Sequence, residues 1–372
     1  MSETHQVLRS TVTAEGMLEV AIETEPIPEP GPGEVLVKVD ASPINPSDLG
    51  MLLASADLSA ATGASGDRPT LTAPISANVM AGLAGRVGAP MPVGNEGAGE
   101  VIAAGAGDLG QSLIGRIVAV VPGGMYSQYR VAPAESCLLL NDGTTAEQGA
   151  SCFVNPLTAL GMVETMRLEG HTALVHSVGA SNLGQMLQRI CLDDSVDLVN
   201  IVRKDSHVEM LKSQGATWVC NSSDDDFLDQ LTNALIETKA TIAFEAIGGG
   251  DMASNILSCM ERALNVGEFS RYGSTTHKQL YIYGGLDRSR TTLNRTYGMA
   301  WGLGGWLLTP FLIKIGADRG NELRQRVADE IDTTFASQYT ARISLAEVVD
   351  PDVMRAYAAM ATGEKYLVTP HA

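Results

Sequence analysis

The spacing of apolar residues changes character part-way along the chain. In the first part it has period two: Val35, Val37 and Val39 alternate with polar positions and predict a half-buried strand. The segments "GAGEVIAAGAG" (97–107), "RIVAVV" (116–121) and "YSQYRVA" (126–132) are short, strand-like and separated by Gly-containing turns. Strands at that spacing predict an antiparallel β-rich domain over about residues 1–150. Pro26–Gly33 is a Pro/Gly connector. Residues 51–91 are rich in Ala, Ser, Thr and Gly, and are expected to form a long excursion with one short helix around Ile75–Gly85.

Beyond Cys152 the pattern alternates between helical and strand periods. It predicts a helix over Pro156–Arg167, a strand over Thr172–Ser177, a helix over Asn182–Cys191 and a strand over Leu198–Val202. Next come a helix over Ser206–Gln214, a strand over Thr217–Cys220, a helix running to Thr238 and a strand over Thr241–Ala246. Short apolar strands alternating with helices predict an α/β fold with a doubly wound parallel sheet. "KQLYIYGGL" (278–286) adds a strand. The last segment, from Ala341, has the pattern of a strand, a helix and a strand able to rejoin the first domain.

Composition narrows the partners. The chain has 372 residues and a formal net charge of -18. Such a surface repels phosphate backbones and anionic lipid, so neither nucleic acid nor membrane is expected as partner. The opening "MSETHQVLRS" is polar, and the most apolar stretch, "WGLGGWLLTPFLIKIG" (301–316), is interrupted by Pro310 and Lys314. A spanning helix needs about 20 apolar residues, so the cytoplasm is the expected compartment. The five cysteines lie far apart without a C-x-x-C pair, as expected of buried free thiols.

The chemistry begins at "ALVHSVGASNLGQM" (173–186), where an apolar strand runs into small residues and then a helix. A dinucleotide pyrophosphate needs backbone N–H groups at a helix N-terminus and small residues where the backbone approaches it. Gly179, Ala180, Ser181, Asn182 and Leu183 meet that need with fewer glycines than G-x-G-x-x-G, and an ordinary strand-to-helix turn would look similar. The next strand, "LVNIVRKDS" (198–206), ends on Arg203 and Lys204 where an NAD site would carry a carboxylate. Cations there suit a 2′-phosphate, so the expected cofactor is NADPH.

The chain resembles the medium-chain dehydrogenase/reductase superfamily, in its zinc-free quinone oxidoreductase and enoyl-thioester reductase branches. The resemblance rests on "VLVKVDASPINPSDLG" (35–50), "VGNEGAGEVIAAG" (93–105), "FVNPLTAL" (153–160), the 176–185 turn, "NIVRKD", "AIGGG" and "YIYGGL", in that order. It implies a Rossmann domain with a GroES-like domain formed by both chain ends: residues 1–155 and 334–372 around a Rossmann segment 156–333. It also implies a homodimer and NAD(P)H held between the domains. Zinc-dependent relatives carry Cys, His and His at the positions of Asn45, Pro46 and Asn95. Those residues supply neither thiolate nor imidazole, so no metal is expected.

By the same resemblance, Asn45 is the catalytic candidate beside the nicotinamide, and Thr158 contacts its ribose or phosphate. The 179–183 turn holds the pyrophosphate, and Arg203 and Lys204 the 2′-phosphate. Ile247, Gly248, Gly249, Tyr283, Gly284 and Gly285 border the cofactor, and Lys365 in "GEKYLVTP" reaches it. The implied activity is hydride transfer from NADPH to a lipophilic small-molecule acceptor, a quinone or activated alkene. The alternative is a catalytically weak NADPH-binding sensor or structural protein. Residues 49–95 contain no Tyr, Trp, Phe or His, so the proton-donating Tyr of enoyl-thioester reductases has no counterpart there. Tyr126, Tyr129, Tyr272 and Tyr297 are the substitutes considered. Trp301 and Trp306 are candidates for a pocket wall, an interface or simple packing.

Overall fold

Val35, Val37 and Val39 are fully buried in strand Glu34–Pro43, which is the centre of the first of two compact units. The computed structural model describes residues 3–266 and 270–372. The first unit takes Met1–Val154 and Arg324–Ala372, the second Asn155–Leu323. The later boundary therefore lies before residue 334. Within the first unit the Asn141 side-chain amide donates to the Ala328 carbonyl at 3.4 Å and the Asp329 carboxylate at 3.1 Å.

In the first unit, Glu34–Pro43 pairs antiparallel with Gly97–Ala104, Tyr129–Pro133 and the C-terminal strand Tyr366–Val368. A second sheet, with strands also antiparallel, is built on Thr4–Val12 and Met17–Pro26. The 51–91 excursion is more ordered than its composition suggests. Strand Thr70–Pro74 joins Met17–Pro26 and buries Leu71 and Ala73, Thr62–Ala64 pairs outside it, and a helix follows at Ala77–Gly82. Small Ala and Thr side chains fill that strand, so its two buried positions are too slight a signal to read from sequence.

The second unit is a six-stranded parallel sheet. Its spatial order is Trp218–Asn221, Asp197–Val202, Ala173–Ser177, Ile242–Glu245, Lys278–Ile282 and Trp301–Gly305. Counted along the chain this is 3-2-1-4-5-6, the Rossmann order, with its switch point between Ala173–Ser177 and Ile242–Glu245. The most apolar stretch of the sequence splits into edge strand Trp301–Gly305 and the start of helix Leu308–Asp329. Among the described residues no helix is long and apolar enough to cross a membrane.

Trp306 is a packing residue of the second unit. Its indole N–H donates to Thr165 Oγ1 at 3.0 Å, and its ring meets Phe244 edge-on and Phe311 at a tilt. Trp301 is likewise engaged, edge-to-face with buried Tyr297 at 4.8 Å. The same unit holds a buried ion pair. Lys278, wholly inaccessible, meets the Glu261 carboxylate at 2.7 Å, and Glu261 also accepts from the Ser274 amide. Removing one partner of a buried pair strands the other charge. Glu261→Gln is therefore expected to lower the stability of the chain by about 3–5 kcal/mol in urea unfolding.

Candidate functional site

Strand Ala173–Ser177 is buried throughout and delivers the chain into the turn 178–181. Ser181 caps helix Asn182–Asp193, its Oγ accepting from the Gly184 amide at 3.0 Å. Two glycines permit the geometry. A Cβ on Gly184 would lie 2.3 Å from the Gly179 carbonyl oxygen, and one on Gly179 would lie 2.6 Å from Asn200 Oδ1. The helix thus sits directly on the turn, and the turn on the second strand, where the Gly179 amide donates to the Ile201 carbonyl. Val178 holds a left-handed φ of 59°, a conformation that β-branched residues rarely adopt.

At the end of that second strand Arg203 and Lys204 are exposed. Both lie close enough to His207 to hold its pKa down further, burial being the larger cause. The carboxylate next in the chain, Asp205, accepts from the Asn221 side chain at 2.8 Å. At the switch point stands a group the sequence reading missed. Glu245 is buried, and its carboxylate accepts from the amides of Ile247 (2.7 Å) and Gly248 (2.6 Å) and from Ser177 Oγ (3.2 Å). Burial raises its pKa against those hydrogen bonds. The available signal was a lone acid closing the apolar strand "TIAFE".

Glu245 shapes the loop that carries Ile247, Gly248 and Gly249, and that loop meets the one carrying Gly284 and Gly285. The Leu286 amide donates to the Ala246 carbonyl and the Asp287 amide to the Ile247 carbonyl. Gly284 is there because a Cβ would stand 2.4 Å from the Ala246 oxygen. Tyr283 stacks on His176, the hydroxyl 2.7 Å from Nε2. Burial depresses the His176 pKa to about 3, so the imidazole stays neutral. Thr158 is buried in helix Val154–Leu168.

Asn45 and Lys365 belong to the first unit. Asn45 caps helix Pro46–Leu53 and donates from Nδ2 to Glu96 Oε1 at 2.8 Å. Glu96 also accepts from the amides of Phe153 and Val154. Asn95 donates from Nδ2 to Ser47 Oγ, and its amide donates to the Asp48 carboxylate. Lys365, buried, donates to Ser151 Oγ at 2.7 Å, and Tyr339 OH lies 3.0 Å from the same oxygen. Burial pushes Asp48 up to about 7 and pulls Lys365 down to about 8. Among the described residues no group of three or more His, Cys, Asp or Glu could hold a metal. Cys137 is half-buried and the other four cysteines are buried; all five are free.

The tyrosines considered as proton donors are variously placed. Tyr126 is buried and donates to the Pro43 carbonyl, and Tyr272 is largely exposed. Tyr129 lies edge-on between His5 and His371. Tyr297 is buried with its hydroxyl unpartnered among the described residues.

Comparison with known proteins agrees with this architecture. Residues 31–142 match the family described as "Alcohol dehydrogenase GroES-like domain". The human "Synaptic vesicle membrane protein VAT-1 homolog" is 26% identical over 68% of this chain and 58% of its own length. The mitochondrial "Enoyl-[acyl-carrier-protein] reductase" of Caenorhabditis elegans is 25% identical over 69% of this chain and 67% of its own. A putative NADPH:quinone reductase from Mesorhizobium loti superposes with a TM-score of 0.74 at 24% identity, covering 100% of this chain and 99% of that one. The chain belongs to the medium-chain dehydrogenase/reductase superfamily. The chain matches less than two thirds of the length of the human relative. Its fold class is that of the superfamily, a parallel α/β sheet with a separate β-rich GroES-like domain.

In this medium-chain dehydrogenase/reductase fold the Asp48, Glu96 and Lys365 cluster makes stability depend on pH. The folded pKa of Lys365 lies below its ordinary 10.5, so the folded chain binds fewer protons than the unfolded one between about 8 and 10.5. Stability from this group rises with pH across that window. Glu96 is raised by burial and held lower by Lys365, so removing the ammonium raises it further. A carboxyl with a raised pKa loses stability as pH rises through it. The two effects add: the stability lost in Lys365→Met is expected to grow by roughly 2 kcal/mol from pH 5 to pH 9.5 in urea unfolding.

Proposed function

We propose that the protein is a zinc-independent, NADPH-dependent reductase that transfers hydride to a quinone or activated alkene. One observation carries the reading. At the carboxyl edge of a 3-2-1-4-5-6 sheet, a capped helix N-terminus stands beside a strand end bearing two exposed cations that form no ion pair among the described residues. The glycine contacts at 179 and 184 support the fit, since a Cβ at either position would close the approach between turn, helix and second strand. The first-turn amides would hold the pyrophosphate, and Arg203 and Lys204 the 2′-phosphate. Bound NADPH supplies the hydride.

The chain's own residues do the rest. Glu245 fixes the 246–250 loop, Glu96 fixes the Asn45 amide, and neutral His176 holds the Tyr283 hydroxyl. Zinc independence rests on residue chemistry: Asn45, Pro46 and Asn95 offer no thiolate or imidazole, and both asparagine amides are committed to protein partners. Quinones and enones are electron-poor before they bind and need no Lewis acid to accept hydride. The relatives named for quinone and enoyl reduction support that acceptor class. The reading includes a homodimer working in the cytoplasm.

Arg203→Ala is expected to weaken NADPH binding about 10- to 150-fold, the worth of a charge-assisted hydrogen bond, while NADH binding changes little. Calorimetric titration with both nucleotides checks this, and equal losses overturn the cofactor assignment. NADPH oxidation with a panel of quinones and enones checks the activity. Saturable binding without turnover across the panel would instead identify a nucleotide-binding protein that has lost its chemistry.

A further inference from the structure

A second polar site lies wholly within the first unit. A cavity of roughly 110 Å³ is lined by His5, Arg9, Glu25, Tyr129 and Arg130, with Gly124 in its wall. A cavity of this size has room for several waters or one small ion. Arg9 is committed: it grips Glu25 with Nε and Nη2 at 2.7–2.8 Å. Arg130 is not. Its Nε is buried without a hydrogen-bond partner, and it forms no ion pair among the described residues. His5 is 5% exposed and its Nδ1 is also unpartnered. Gly124 makes room for the guanidinium: its φ is 71°, and a Cβ there would lie 3.3 Å from Arg130 Cζ.

The charges do not balance. With Arg9 and Glu25 cancelling, the cavity keeps the full positive charge of Arg130 inside a chain of net charge -18. Buried donors without partners cost stability unless a ligand or water satisfies them. A guanidinium fork with an imidazole nitrogen beside it matches two oxygens of a planar or tetrahedral anion. We propose that this cavity binds a small oxyanion, a phosphate or a carboxylate, through Arg130 and His5. None of its residues belongs to the proposed nucleotide site, so binding here does not depend on the reductase reading.

Calorimetric titration of the full-length protein with inorganic phosphate and with acetate, at fixed ionic strength, tests it. Wild type and Arg203→Ala are expected to share a saturable site of equal affinity, whereas phosphate held at the nucleotide turn weakens in Arg203→Ala, which separates the two sites. Arg130→Gln is expected to bind at least tenfold more weakly. Should that variant fold poorly, the ring resonances of His5 in the wild type give an independent measure and are expected to shift with the same saturation curve. Tighter binding of phosphate or of acetate names the natural class. Absence of saturable heat with both ions, undiminished binding by folded Arg130→Gln, or binding that leaves His5 unshifted overturns the proposal.

Discussion

The second unit depends on one close approach. Gly184 brings helix Asn182–Asp193 so near the turn that its own Cα faces the carbonyl of Gly179, and no side chain fits between. That contact fixes the direction of the helix axis, and with it where the first-turn amides point. The same turn rests on Asn200 through Gly179, so strand, turn, helix and second strand form one rigid piece. The strain falls on Val178, whose left-handed backbone costs on the order of 1 kcal/mol. A glycine would relieve it.

Both units organise a loop around a buried carboxylate. Glu245 accepts from two successive amides, Ile247 and Gly248, and from Ser177. Glu96 accepts from Phe153 and Val154, also successive, and from Asn45. Amide bonds to an ionised acceptor are among the stronger hydrogen bonds, and they turn a costly buried charge into a loop clamp. The two differ in counter-charge. Lys365 offsets Glu96, whereas hydrogen bonds alone oppose the upward shift of Glu245. The clamp at the switch point therefore rests on its amides.

The parallel sheet was legible because its strands are continuously apolar and its helices carry clear stop signals, such as Gly215 after the helix over Asp205–Ser213. The turn was legible from its small residues. What stayed hidden was of two kinds. The strand at Thr70–Pro74 buries only Leu71 and Ala73, too little for periodicity to show. The polar clusters around Glu245, Glu96 and Lys365 join residues far apart in the chain, and nothing local in a sequence marks which acids will be buried together. The Lys365 ammonium meets Ser151, more than two hundred residues earlier in the chain, a pairing that no local pattern marks.

An acidic protein can still carry a local cluster of cations. The net charge of the chain acts over distances comparable to the Debye length, about 8 Å at physiological salt, and is screened beyond it. Arg203, Lys204 and His207 are packed within one short stretch of strand end and helix start. The helix beginning at Asp205 adds its positive dipole end at the same place. Asp205, next in the chain, is turned to Asn221, and the loop that continues into Asp224, Asp225 and Asp226 is tied to the same strand end by Ser223, whose hydroxyl donates to the Arg203 carbonyl. The acidic remainder repels polyanions that would have to lie along the whole protein, whereas a cluster this small acts only over its own few ångströms.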